Sequence, residues 1–136
     1  RIVEKAGSII IDDTYNANLS SMKSGISDLA LIKKKGQSVI VILGDMLDLG
    51  KDSERHHSEL GRYIGNLDFI DSVFCLGKTS SYIIKSINNE NIQSIHFNNT
   101  DAIVRHLKEH KFDNNIFYFK GSRGMCMEKI IHKVFN

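Results

Sequence analysis

The sequence predicts an α/β fold of three layers, in which a mostly parallel sheet of five or six strands is covered by helices on both faces. Two observations carry that prediction. Short β-rich apolar runs alternate with stretches of helical periodicity, the pattern of βαβ units. The runs are apolar at consecutive positions rather than at every second one, as strands are when both faces of their sheet are covered.

Residues 8–12 (SIIID) read as the first of these strands, with residues 2–5 as an added edge strand. A helix follows with Met22, Ile26, Leu29 and Ala30 on one face. Residues 38–43 (SVIVIL), 72–76 (SVFCL), 94–97 (SIHF) and 116–119 (IFYF) read as the later strands. The stretches between and after them carry the stripes Leu60, Ile64, Leu67; Ile83, Ile84, Ile87; Ile103, Val104, Leu107; and Ile130, Ile131, Val134. These stripes are core faces, not cofactor contacts.

A chain of 136 residues with 41% hydrophobic content supports one core and is too short for two, so residues 1–136 read as a single domain. The chain begins at Arg1 rather than a methionine, which suggests a piece of a longer protein. Eighteen basic and sixteen acidic residues nearly cancel, and the longest basic run is the KKK of residues 33–35. That balance gives no pointer to a nucleic-acid partner or a membrane surface. No apolar run approaches the length of a membrane span, so no membrane insertion is expected. Cys75 and Cys126 lie far apart and outside any zinc or disulfide spacing, which fits a reducing cytoplasm.

In an open parallel sheet, ligands gather beyond the carboxyl ends of the strands. Three loops at such ends are richer in polar residues and glycine than a bare connection requires. In the first, DDTYNAN, Asp12 and Asp13 end the apolar run, and Asn16, Asn18 or Ser20 can cap the next helix. Each of these is on its own an ordinary turn or capping residue. Together they exceed what a cap needs: a carboxylate such as Asp13 suits a pair of ribose hydroxyls, and amides donate to phosphate oxygens. The last loop, Lys120-Gly121-Ser122-Arg123-Gly124, sets an ammonium, a guanidinium and a hydroxyl around two glycines. It is a glycine-rich turn with solvated charges or an anion site in which Arg123 forks a carboxylate and Lys120 acts as a point charge.

The middle loop holds Asp45, Asp48 and Asp52, with His56 and His57 shortly after. The adjacent histidines cannot share a helix face and no HExxH spacing occurs, so no metal site is assigned, and His57 reads as a supporting group. The GKTS of residues 77–80 follows a strand like the tail of a P-loop, but the glycine required five positions earlier is Ser72. With no GxGxxG either, neither usual nucleotide fingerprint is complete, and a self-sufficient NTPase or NAD enzyme is not expected.

Taken in order, DDTYNAN, then LGDMLDLG with Ser53, His57 and Gly61 following, then KGSRGMCME resemble the C-terminal domain of the Mur ligases, in the branch that adds D-alanyl-D-alanine. The likeness runs from Asp12 to Glu128. It implies a Rossmann-like domain that closes over the active site of an enzyme whose N-terminal and central ATPase domains lie elsewhere. It also implies the reaction: ATP phosphorylates the terminal carboxylate of UDP-N-acetylmuramoyl-tripeptide, and the amine of D-alanyl-D-alanine attacks the acyl phosphate. The products are the pentapeptide precursor of peptidoglycan, ADP and phosphate, with Mg2+ held mainly by the central domain. By the same resemblance Asp13 meets the ribose, and Tyr15, Asn16 and Asn18 line the nucleotide. Lys120, Ser122, Arg123 and Asp45 fall to the dipeptide, with Arg123 on its carboxylate.

No catalytic residue is implied within this stretch, and by itself the domain is expected to be inactive. The chain departs from the family where Leu19 replaces a usual proline, Asp48 a usual glutamate and Cys126 a larger or basic residue. The alternatives are another Mur ligase or folylpolyglutamate synthase, which share the fold, and a free-standing module that binds a nucleotide or anionic peptide without catalysis. The YNAN and KGSRG loops favour the D-alanyl-D-alanine branch.

Overall fold

The computed structural model describes residues 1–110 and 113–136. Six strands, β1 (Ile2–Lys5), β2 (Ser8–Asp13), β3 (Ser38–Gly44), β4 (Ser72–Leu76), β5 (Gln93–Phe97) and β6 (Asn115–Lys120), form one sheet in the order β1-β2-β6-β3-β4-β5. β1 pairs antiparallel with β2, and every other pairing is parallel. The helices are α1 (Leu19–Ile32), α2 (Ser53–Gly65), α3 (Ser81–Ser86), α4 (Thr100–Glu109) and α5 (Glu128–Phe135). All five expected parallel strands form, and the edge strand at residues 2–5 is the antiparallel one.

The strand order dictates the layers. Crossovers from β2 to β3, β3 to β4 and β4 to β5 all step in one direction across the sheet, whereas β5 to β6 steps back. Because parallel crossovers are right-handed, the reversal sends α4 to the opposite face from α1, α2 and α3. The two cores agree. Met22, Ile26, Leu60, Ile64 and Ile83 pack with Val41, Leu43 and Val73 on one side. Ile103, Leu107, Ile130 and Phe135 pack with Ile42, Phe74 and Phe117 on the other. Alternate residues of each strand go to alternate cores, as the pleat requires. Of the α1 stripe, Met22, Ile26 and Leu29 are buried, while Ala30 is exposed, one position beyond the strip that faces the sheet.

Without a proline at its first turn, α1 is started by a reciprocal cap. The Asn18 side chain accepts from the Ser21 amide at 2.8 Å, and the Ser21 hydroxyl accepts from the Asn18 amide at 3.1 Å. α2 and α3 approach so closely that Gly61 and Gly65 are obligatory: a Cβ on either would run into the carbonyl oxygen of Ile83 or Ile87.

His57 anchors the loop between β3 and α2. It is fully buried; its Nδ1 donates to the Ser53 carbonyl at 2.6 Å, and its Nε2 accepts from the Met46 amide at 3.0 Å. That pair of bonds requires the neutral ring with its proton on Nδ1. Burial is the largest cause of a pKa held below the usual 6.5, and it outweighs the Ser53 carbonyl, which acts the other way.

Gly61→Ala should destabilise the fold by about 1–3 kcal/mol, the usual size of an overpacking penalty, read as a lower urea midpoint. An unchanged midpoint would mean that α2 and α3 separate without penalty. For His57, the unfolded chain binds a proton below about pH 6.5 that the folded chain refuses, so stability should fall as pH drops below that value and level off below the lowered folded pKa. His106, also lowered chiefly by burial, acts with the same sign. Urea midpoints measured from pH 7.5 down to 5 should therefore show a shallower slope for His57→Gln than for the parent, and equal slopes would sink the assignment of a neutral ring.

Candidate functional site

The strand order creates the site. β6 lies between β2 and β3, yet the chain leaves β2 and β3 toward α1 and α2 on one face and leaves β6 toward α5 on the other. At such a switch point adjacent loops diverge and leave a crevice beyond the carboxyl ends of the strands. The loops concerned begin at Asp13, Gly44 and Lys120, which brings together at one edge the three segments singled out in the sequence.

Asp13 and Lys120 are Cα partners in the β2–β6 register. Tyr118 lies two positions before Lys120 on the same face of β6. All three side chains meet on the α1 side. The Tyr118 hydroxyl donates to Asp13 Oδ2 at 2.6 Å and the Lys120 ammonium at 2.8 Å. Lys120 is only 4% exposed, whereas the Asp13 side chain keeps 44% of its surface open. Burial, and then the hydrogen bond to Asp13, drives the Tyr118 hydroxyl far above the ordinary phenol pKa, so it remains a donor. Gly25 of α1 makes this approach possible, since a Cβ there would run into the Tyr118 hydroxyl.

The loop after β6 is tied to the loop after β3. The Ser122 amide donates to the Asp45 carbonyl at 3.0 Å, and the Ser122 hydroxyl accepts from the Leu47 amide at 2.8 Å. Asp45 itself turns away from the crevice. Its Oδ1 accepts from the Ser80 amide at 2.7 Å, and it lies against Gly77, whose φ of +123° only glycine adopts readily. The GKTS turn thus closes around a carboxylate of its own chain. Asp48 sits at a φ of +62°, a left-handed conformation that aspartate tolerates better than longer side chains.

The expected contact residues therefore divide. Asp13, Tyr15 and Arg123 line an open cleft of about 490 Å3 with Asp12, Thr14 and Glu128. Tyr15 is 74% exposed, and the Arg123 guanidinium lies over its ring at 5.2 Å, joining the first loop to the last. Lys120, Ser122 and Asp45 are held within the fold, whereas Asn16 and Asn18 are exposed and bonded to their own loop. Lys120 is an inward ion-pair partner rather than a free point charge, and Ser122 and Asp45 are buried links between loops. Asn18 is the cap among the three candidates, and the Asn16 side chain accepts from the neighbouring Ala17 amide at 2.9 Å. No three His, Cys, Asp or Glu side chains converge as a metal cage among the described residues. Tyr118 and Gly25 carry no signal in the sequence, where IFYF reads as an apolar strand and Gly25 as one more helical residue.

The family described as Mur ligase, glutamate ligase domain, matches residues 1–123. The chain is 35% identical over 130 residues to the UDP-N-acetylmuramoyl-tripeptide--D-alanyl-D-alanine ligase of Bacillus subtilis (strain 168), across 93% of this chain and 28% of that protein. Among solved structures it is similar to MurF from Acinetobacter baumannii, with a TM-score of 0.81 and 25% identity over 99% of this chain and 30% of that one. It shares the fold of the MurF ligase from Thermotoga maritima in complex with ADP, with a TM-score of 0.79 and 24% identity over 98% of this chain and 29% of that one. The chain spans less than a third of the length of each of these relatives. Since the match covers the sheet and the three loops that meet at its carboxyl edge, the chain belongs to the Mur ligase family, as its glutamate ligase domain.

Proposed function

We propose that these 136 residues are the C-terminal domain of an ATP-dependent ligase that adds D-alanyl-D-alanine to UDP-N-acetylmuramoyl-tripeptide in peptidoglycan precursor synthesis. The observation that carries the reading is the cleft between the loops after β2 and β6, which a half-exposed carboxylate, Asp13, and an exposed guanidinium, Arg123, line together. The ligase of B. subtilis supports the branch by its sequence, and the ADP complex of the T. maritima protein supports a nucleotide as ligand.

In this reading Asp13 accepts from the ribose hydroxyls and Tyr15 supplies an aromatic wall beside them. Arg123 holds the carboxylate of the incoming dipeptide and so orients its amine toward the activated tripeptide. Lys120, Ser122 and Asp45 act behind these groups by fixing the loops. ATP would phosphorylate the tripeptide carboxylate, and the dipeptide amine would displace phosphate from the acyl phosphate. In this reading Mg2+ is held mainly by the central domain and would neutralise the charge on the transferred phosphoryl group. One wall of each substrate site gives little affinity by itself, which makes the isolated domain inactive and the other two domains of the chain its necessary partners. Two free cysteines, Cys75 and Cys126, suit a cytoplasmic location, and no helix among the described residues is long and apolar enough to cross a membrane.

The test is phosphate release from ATP in the presence of UDP-muramoyl tripeptide and D-alanyl-D-alanine, comparing this domain with the encoded full-length chain. The full-length chain should turn over and the domain should not. Arg123→Ala in the full-length chain should lower kcat/KM for the dipeptide by about 10- to 100-fold, the range for losing hydrogen bonds to a charged group. Asp13→Ala should act mainly on ATP. Silence of the full-length chain would remove the proposed activity, and an unimpaired Arg123→Ala would remove the dipeptide assignment.

A further inference from the structure

The most constrained polar group at the carboxyl edge is the Asp13 carboxylate. A carboxylate offers about four lone-pair positions, two on each oxygen. Tyr118 and Lys120 both donate to Oδ2 and fill it, which leaves the acceptor capacity on Oδ1. The donors are buried behind and the carboxylate is half-exposed in front. Gly25 closes the back of this arrangement, where any Cβ would displace the Tyr118 hydroxyl and come within 3.5 Å of Oδ2. Filling the core does not require that hydroxyl, because Phe117 and Phe119 of the same strand serve the opposite core without one. A phenol ring buried against α1 with its only polar atom aimed at a half-exposed carboxylate is arranged for the carboxylate.

We propose that Tyr118 is a positioning residue of the nucleotide site: with Lys120 it locks the Asp13 carboxylate in the orientation that accepts from the vicinal hydroxyls of a nucleotide ribose. The inference rests on the reading of Asp13 as the ribose ligand and adds the group that holds it. A carboxylate gripped through one oxygen cannot rotate, so its ordering is complete before the nucleotide arrives and does not weaken binding. Gly25 is the small residue that this grip requires on α1.

The experiment uses the full-length chain and three variants, Tyr118→Phe, Gly25→Ala and Asp13→Asn. The probes are ATP, 2′-deoxy-ATP and 3′-deoxy-ATP, with dissociation constants measured by calorimetry and kcat at saturating ATP. Tyr118→Phe should bind ATP about tenfold more weakly, as expected for disturbing a charge-assisted hydrogen bond. The deoxy analogues should lose less, so that discrimination between ribose and deoxyribose shrinks while kcat stays within about twofold. Gly25→Ala should reproduce this pattern by pushing the hydroxyl away; if it fails to fold, Tyr118→Phe, which deletes a single atom, decides the matter. If Tyr118→Phe lowers only the melting temperature and keeps the parent's affinity and discrimination, the residue is structural and the proposal is overturned. If Asp13→Asn abolishes discrimination and Tyr118→Phe does not, positioning by Tyr118 is overturned and the ribose reading stands. If Asp13→Asn itself leaves discrimination intact, the ribose reading falls and takes the positioning role with it.

Discussion

The insertion of β6 between β2 and β3 is the constraint on which the rest of the structure depends. It is the one place where the chain reverses its direction across the sheet, and right-handed crossovers turn that reversal into a change of face. Loops from β2 and β3 lean one way, and the loop from β6 leans the other. The crevice between them is a consequence of topology before any side chain is considered. Register then fills it: Asp13 and Lys120 are Cα partners, and the two-residue period of a strand brings Tyr118 to the same spot. A strand pairing shifted by one residue would send Lys120 to the α5 face and leave Asp13 without its cation.

The polar richness of the three loops has two origins. Some of it faces the cleft, as Asp13, Tyr15 and Arg123 do. The rest satisfies backbone groups that the loops would otherwise bury without partners. His57 accepts from the Met46 amide and ties the loop after β3 to α2, while Ser122 accepts from the Leu47 amide and Asp45 from the Ser80 amide, two contacts that join the loops after β3, β4 and β6 into one wall. Each of these side chains is at least nine-tenths buried. A loop wall stiffened in this manner holds exposed groups at fixed separations, which is what recognition of a ligand by several groups demands.

Much of this was legible in the sequence because its causes are local. Alternating apolar runs and helical stripes placed every strand and helix, and the failed P-loop spacing at Ser72 kept the GKTS turn out of the candidate site; in the fold that turn encloses Asp45. Polar loop residues were recognisable as a group, and the resemblance carried by their order led to the family. Their individual duties were not recognisable. Asn16, Asn18 and Ser20 are equivalent as caps on paper, and only the backbone conformation selects Asn18. Lys120 and Arg123 are both cations of one glycine-rich loop, but Lys120 ends a strand and points inward while Arg123 lies beyond it and is exposed.

What the sequence by itself determined is the set of elements, their two-sided burial and the three segments that meet at one edge, since periodicity and turn chemistry act over a few residues. What only the tertiary structure decided is which side chains open onto the cleft and which hold the others. Asp13 and Tyr118 are separated by 105 positions and bonded at 2.6 Å, and Gly25 matters only because α1 lies across both. Such contacts are set by strand order, register and helix placement together, and they are long-range properties of the packed chain.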